Sequence, residues 1–84
     1  MNVKILSKNN CPGCIALKTY LGDNYKDIIT HVRLEENEEE YYRLANEVGT
    51  TSVPTLILYD GDEVIKVVRG YNPVEVNRLF MEVE

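Results

Sequence analysis

Cys11 and Cys14, separated by Pro12-Gly13, are the two cysteines of this 84-residue chain. Two intervening residues at the start of a helix bring both sulfurs within bonding range. Such a pair can open and close a disulfide and so carry two electrons. Cys11 is expected at or just before the helix N-terminus, beside unpaired backbone N–H groups and the positive end of the helix dipole. Both favour the thiolate, the form that attacks a disulfide. Lys8, three residues upstream, adds a cation on the approach side. Cys14 lies about one turn further on and is expected to be more enclosed. Exposure then assigns the roles: Cys11 attacks a substrate disulfide, and Cys14 attacks Cys11 in the mixed disulfide and releases the reduced substrate. Pro12 removes one N–H near the sulfur. Gly13 weakens the first turn by up to about 1 kcal/mol and is expected to leave the surface over the disulfide bare.

A second segment, Thr51-Ser52-Val53-Pro54-Thr55, joins a helix to a strand. Its X-Pro bond is a candidate for the cis form, which would turn the Val53 backbone outward toward an extended substrate segment. The plainer reading is a trans proline that begins a strand.

The elements that must position these residues follow from apolar spacing and from Gly, Pro and Asn punctuation. Val3 to Ser7 reads as a buried strand. Pro12 suits a first helical turn, and the helix runs to about Leu21 with Cys14, Leu17 and Leu21 on one face. Ile28 to Leu34 is a second strand. Glu36 to Val48 is a helix with Tyr41, Leu44, Ala45 and Val48 on its buried stripe, closed by Gly49. Thr55 to Tyr59 and Glu63 to Arg69 are strands joined by a hairpin turn at Asp60-Gly61. Asn72, Pro73 and Glu75 open a last helix whose apolar face is Val76, Leu79, Phe80 and Val83. The order βαβαββα implies an α/β fold: a mixed four-stranded sheet with helices on its faces and a parallel pair in the first βαβ unit.

Size and composition bound the function. Eighty-four residues are expected to form one domain spanning 1–84. A net charge of −5 argues against nucleic acid and anionic membranes as partners, because phosphate binding needs a basic surface. The acidic run Glu35, Glu36, Glu38, Glu39 and Glu40 suits a solvated helix start. No run approaches the roughly 20 apolar residues of a membrane span, and no apolar targeting core precedes Lys8. The expected location is the cytoplasm, where a neighbouring cysteine pair reads as catalytic rather than structural.

Taken together, these motifs resemble the thioredoxin superfamily, and its glutaredoxin branch more than thioredoxin itself. Ile5-Leu6-Ser7-Lys8-Asn9-Asn10-Cys11-Pro12-Gly13-Cys14 is similar to the glutaredoxin pattern of a strand, Ser/Thr-Lys, two residues and Cys-Pro-Tyr-Cys. Val53-Pro54 resembles the superfamily's cis-proline site. Two departures point to a subfamily. Gly13 stands where glutaredoxins commonly carry tyrosine. Arg69-Gly70-Tyr71-Asn72-Pro73 replaces their glutathione-holding Gly-Gly-x-Asp-Asp segment and is more like the Gly-Phe-x-Pro stretch of NrdH-redoxins.

The resemblance implies a thiol–disulfide oxidoreductase that needs no bound cofactor and acts as a monomer. Thioredoxin reductase or glutathione would be the electron source. Protein disulfides, ribonucleotide reductase among them, would be the acceptors. Lys8, Pro12, Gly13, Val53, Pro54, Gly70 and Tyr71 would bind the substrate, with Tyr71 near the Cys11 rim. Glutathione is an anion and suits a −5 domain poorly, although Lys8 and Arg69 are local cations. Rival readings are a zinc half-site, for which His31 is the one further strong ligand, and a redox-inert module presenting the Val53-Pro54 edge. A structural zinc needs four ligands, and His31 reads more simply as a strand residue.

Overall fold

The computed structural model describes residues 1–83, in the order β1 (Asn2–Ser7), α1 (Pro12–Leu21), β2 (Ile29–Arg33), α2 (Glu38–Val48), β3 (Thr55–Asp60), β4 (Glu63–Arg69) and α3 (Pro73–Met81). The strands form one sheet in the order β2-β1-β3-β4. β1 pairs parallel with β2, Val3 opposite Ile29 and Ser7 opposite Arg33, and antiparallel with β3. β3 and β4 form an antiparallel hairpin with an irregularity between Leu58 and Tyr59.

The central strands are the most apolar because both of their faces are covered. Leu56 and Leu58 point to one side of β3, and Ile57 and Tyr59 to the other. On the first face, Leu17 and Leu21 of α1 and Val76, Leu79 and Phe80 of α3 pack with Val3, Ile5, Leu56, Leu58 and Val68. On the second, Tyr41, Leu44 and Ala45 of α2 pack with Leu6, Val32, Ile57 and Tyr59. Each fully buried leucine contributes about 1.5–3 kcal/mol relative to an exposed one, so these two layers rather than surface ion pairs hold the sheet.

The helices begin and end as their terminal residues require. Asn37 and Asn72 cap α2 and α3 through side-chain oxygens, which accept from Glu40 and from Val74 and Glu75. Gly49 closes α2 in the left-handed conformation (φ 66°). Several boundaries differ from the sequence expectation, and β1 already begins at Asn2. α2 starts at Glu38, because Asn37 takes the cap, and Glu35 and Glu36 fall in the preceding turn. The hairpin turn is Gly61-Asp62 rather than Asp60-Gly61, since Asp60 still pairs with Glu63 and Gly61 supplies the positive φ. The second strand is trimmed by one residue at each end.

Candidate active site

β1 ends at Ser7, and a short loop delivers the chain to α1. Pro12 occupies the first helical turn, where its missing N–H costs nothing, and the preceding residue must then be extended. Cys11 is that residue and serves as the N-cap (φ −116°, ψ 102°). The Cys14 amide donates to the Cys11 carbonyl at 3.1 Å and to Cys11 Sγ at 3.2 Å. Cys11 and Cys14 are joined as a disulfide, with Cα atoms 5.2 Å apart.

The expected difference in exposure between the two cysteines is absent. Cys11 is 6% and Cys14 7% exposed. In the oxidised protein the two sulfurs share one pocket, so exposure does not assign their roles. Position does distinguish them. Cys11 stands at the helix start and receives an N–H on its sulfur, whereas Cys14 lies inside the first turn.

Gly13 does not leave the disulfide bare. A Cβ placed on it would lie 3.1 Å from Pro54 Cδ and 3.7 Å from Tyr71 Cβ. The two segments singled out in the sequence therefore meet over Gly13, and Tyr71 forms the third side. The Val53-Pro54 peptide bond is cis. Gly70, in the left-handed region at φ 80°, donates its N–H to the Pro54 carbonyl at 2.7 Å and so ties the proline segment to the chain that carries Tyr71. The Tyr71 ring packs edge-on to Tyr20 at 6.0 Å, and Tyr20 Oη donates to Asn77 on α3. Val53 is half-buried and lies outside the strands.

A cleft of about 200 Å³ beside the disulfide is lined by Ser7, Lys8, Cys11, Cys14, Lys18 and Arg33, among others. Lys8 also borders the neighbouring depression formed by Tyr41, Thr50 and Thr51. Of the cations here, Lys18 carries a signal in the sequence and Arg33 carries none. Lys18 lies four residues after Cys14, hence on the same helix face. Arg33 is opposite Ser7 in the parallel register, which only strand pairing reveals. Arg33 pairs with Glu36. Glu35, read only as part of an acidic run, accepts the Asn9 amide at 3.0 Å and holds the loop before Cys11. Arg69 is committed elsewhere, donating to the Val48 carbonyl at the end of α2.

Thr50 lies just before the proline segment read from the sequence, and Thr55 ends that segment. Both are buried and hydrogen-bonded around the loop that carries Val53-Pro54. His31 lines a separate depression with Lys18, Lys26 and Ile29. Burial first, and then the Lys18 charge, hold its imidazole below the ordinary value. Among the described residues no group of three or more His, Cys, Asp or Glu is placed to hold a metal ion. Nor is any helix among them long and apolar enough to cross a membrane.

This geometry can be set beside known proteins. The family model described as Glutaredoxin matches residues 3–65. Thioredoxin from Aeropyrum pernix superposes over 99% of this chain and 74% of its own, at 21% identity and a TM-score of 0.75. The thioredoxin-like protein BC3987 does so over 93% of this chain and 99% of its own, at 22% identity and 0.71. The Malassezia sympodialis thioredoxin Mala s 13 covers 95% and 71%, at 19% identity and 0.72. At these identities the likeness to solved structures is one of fold. Among curated protein sequences none matches.

Proposed function

The chain belongs to the glutaredoxin family, with the Cys11–Cys14 pair that supports thiol–disulfide redox chemistry, and from that premise we propose that it is a dithiol electron carrier for protein disulfides. The observation that carries the assignment of roles is the Cys14 amide on Cys11 Sγ at the N-cap of α1. An N–H donor and the helix dipole both favour negative charge on that sulfur, making Cys11 the attacking thiolate.

In the first step the Cys11 thiolate attacks one sulfur of a substrate disulfide. The substrate S–S bond breaks, a Cys11–substrate bond forms, and the first substrate thiolate leaves. Cys14, as thiolate, then attacks Cys11 Sγ and expels the second substrate thiolate. Two electrons have passed to the substrate, the Cys11–Cys14 bond has formed, and solvent protonates the leaving sulfurs. Two electrons from a reductant reopen the pair. Pro12, Gly13, Val53, Pro54, Gly70 and Tyr71 form the rim on which the segment around the substrate disulfide rests. The Val53 backbone serves as the partner for an extended chain.

Two features support thioredoxin reductase as the electron source and a protein such as ribonucleotide reductase as an acceptor. Asn72 Oδ1 already accepts from the Val74 and Glu75 amides at 3.0 and 3.3 Å, so the α3 N-terminus offers less to a glutathione carboxylate. Gly13 lies beneath Pro54, with no tyrosine between the cysteines. The second reading, a glutathione-dependent glutaredoxin, has its own observation: Lys8, Lys18 and Arg33 line the cleft beside the cysteines, where an anion would be attracted.

Two coupled assays following NADPH loss separate these readings, one with thioredoxin reductase and one with glutathione and glutathione reductase. Faster turnover with thioredoxin reductase is expected; preference for glutathione overturns that assignment in favour of the second reading. Independently, Cys14→Ser should accumulate a mixed disulfide with a protein substrate, visible by mass. Release of product by Cys14→Ser at the wild-type rate would remove the resolving role.

A further inference from the structure

Three residues around Val53-Pro54, namely Thr50, Ser52 and Thr55, form a closed hydrogen-bond circuit whose direction the donors determine. The Ser52 N–H donates to Thr50 Oγ1 at 3.1 Å. The Thr55 hydroxyl donates to the Ser52 carbonyl at 2.7 Å, since a carbonyl oxygen only accepts. The two threonine oxygens are 3.1 Å apart. A hydroxyl has one proton and that of Thr55 is spent on Ser52, so Thr50 is the donor between them. The circuit runs from the Ser52 N–H to the Thr50 hydroxyl, to the Thr55 hydroxyl, and back to the Ser52 carbonyl.

The two hydroxyls of this circuit are buried, while Ser52, whose main chain closes it, is exposed. Thr55 is 0% and Thr50 7% exposed. Hydrogen bonds in series polarise one another, and away from water a missing member leaves its neighbour unsatisfied. Further bonds anchor both ends of the segment. The Thr50 N–H donates to Ala45 at the end of α2 at 2.9 Å, and the Pro54 carbonyl accepts from Gly70. Ser52 has both main-chain groups engaged, and Pro54 its carbonyl. Val53 sits between them, outside the strands, next to the proline ring that covers Gly13.

We propose that Thr50 and Thr55 are positioning residues that hold the Val53 backbone ready to pair with the main chain of a disulfide-bearing polypeptide, and so set the preference for peptide over small-molecule disulfides. The inference rests on the reading above that Val53-Pro54 receives an extended substrate segment. Neither hydroxyl takes part in electron transfer. Their effect falls on binding, and only for substrates whose amides reach Val53.

The test uses three disulfides: a disulfide-bonded peptide, the same peptide N-methylated at the residues flanking its cysteine, and hydroxyethyl disulfide, which has no amide. In the wild-type protein, N-methylation should lower kcat/KM at least fivefold. A ratio near one would show that no main-chain pairing occurs and would remove the docking reading itself. Given that discrimination, Thr50→Val and Thr55→Val should each lower kcat/KM for the parent peptide about tenfold, mainly through KM, and largely abolish the N-methyl effect. Hydroxyethyl disulfide should fall less than threefold. Thr50→Ser and Thr55→Ser, which keep the hydroxyl, should restore the discrimination. Valine variants that keep the full N-methyl ratio, or that lose all three substrates equally, would overturn the positioning role while leaving the docking reading intact. Proton NMR of the wild-type protein supplies a measurement independent of variant folding. Both threonine hydroxyl protons should exchange slowly enough with water to be observed, and rapid exchange of either would break the circuit.

Discussion

The site is made from two loops that are built in different ways. The turn from Asn10 to Cys14 is held by bonds among its own residues: Pro12 opens α1, Cys11 caps it, and the Cys14 amide reaches back three residues. The loop from Thr50 to Thr55 belongs to no helix or strand until β3 begins, and is held by side-chain hydroxyls and by Gly70 from a distant part of the chain. The first loop carries the reactive sulfurs and the second supplies the surface beside them. Chemistry that depends on charge at one atom can be encoded within four residues. The proposed role of the second loop, a shape against which a partner chain is aligned, needs restraints from several elements.

The largest effect expected from breaking this comparison is at Cys11. Cys11→Ser should abolish turnover with every disulfide, since serine cannot form the mixed disulfide. Serine is itself a favourable N-cap, so the variant should unfold within about 1 kcal/mol of the reduced wild-type protein in urea. A much larger loss would mean that the sulfur, not the cap, holds the turn.

Gly70 tests the second loop. At φ 80° a side chain costs about 1–2 kcal/mol, and the residue also anchors Pro54. Gly70→Ala should lose that stability and raise KM for a protein disulfide. Gly49→Ala, at φ 66° in the α2 cap, should show a similar loss with little kinetic change. Equal kinetic damage in both would mean that backbone strain alone, not the tie to Pro54, is being measured.

A smaller effect is expected where the loops touch. Gly13→Ala gains up to about 1 kcal/mol of helix propensity, but its Cβ meets Pro54 Cδ at 3.1 Å. The two terms oppose, so the urea midpoint should move little while KM for protein disulfides rises. Full stabilisation with unaltered kinetics would show the contact between the loops to be slack.

The smallest effect concerns His31. Burial and then the Lys18 charge lower its pKa from 6.5, so the unfolded chain takes up the proton more readily than the folded one. Stability is therefore retained above the ordinary histidine range and reduced as the pH falls through and below it. Lys18→Gln should raise the His31 pKa slightly in an NMR titration, because burial, the larger cause, remains. No upward movement would show that the charge beside the disulfide cleft is not felt on β2.

The residues themselves show where sequence reading stops. The order of elements, the caps at Asn37 and Asn72, and the placing of Cys11 and Cys14 at a helix start are local properties, governed by proline, glycine and apolar period. The near-equal burial of the two cysteines was not legible, because it depends on disulfide closure within a shared pocket. The convergence of Gly13, Pro54 and Tyr71 involves positions about forty and sixty residues apart in the chain. The resemblance suggested it, but local spacing did not.

Glu35 and Arg33 show the same boundary. Each reads as an ordinary surface charge until strand pairing and helix packing bring it beside the Cys11 loop. Thr55 reads as the start of a strand and Thr50 as loop polarity, and only burial makes their hydroxyls choose each other and Ser52 over water. Secondary structure, the cysteine spacing and the chemistry open to the pair are decided within a few residues of chain, where backbone sterics and hydrogen bonding act. What covers the sulfurs, which charges stand near them and how the Val53 segment is held are decided by long-range packing, because hydrogen bonds and charges become selective only where the fold excludes water.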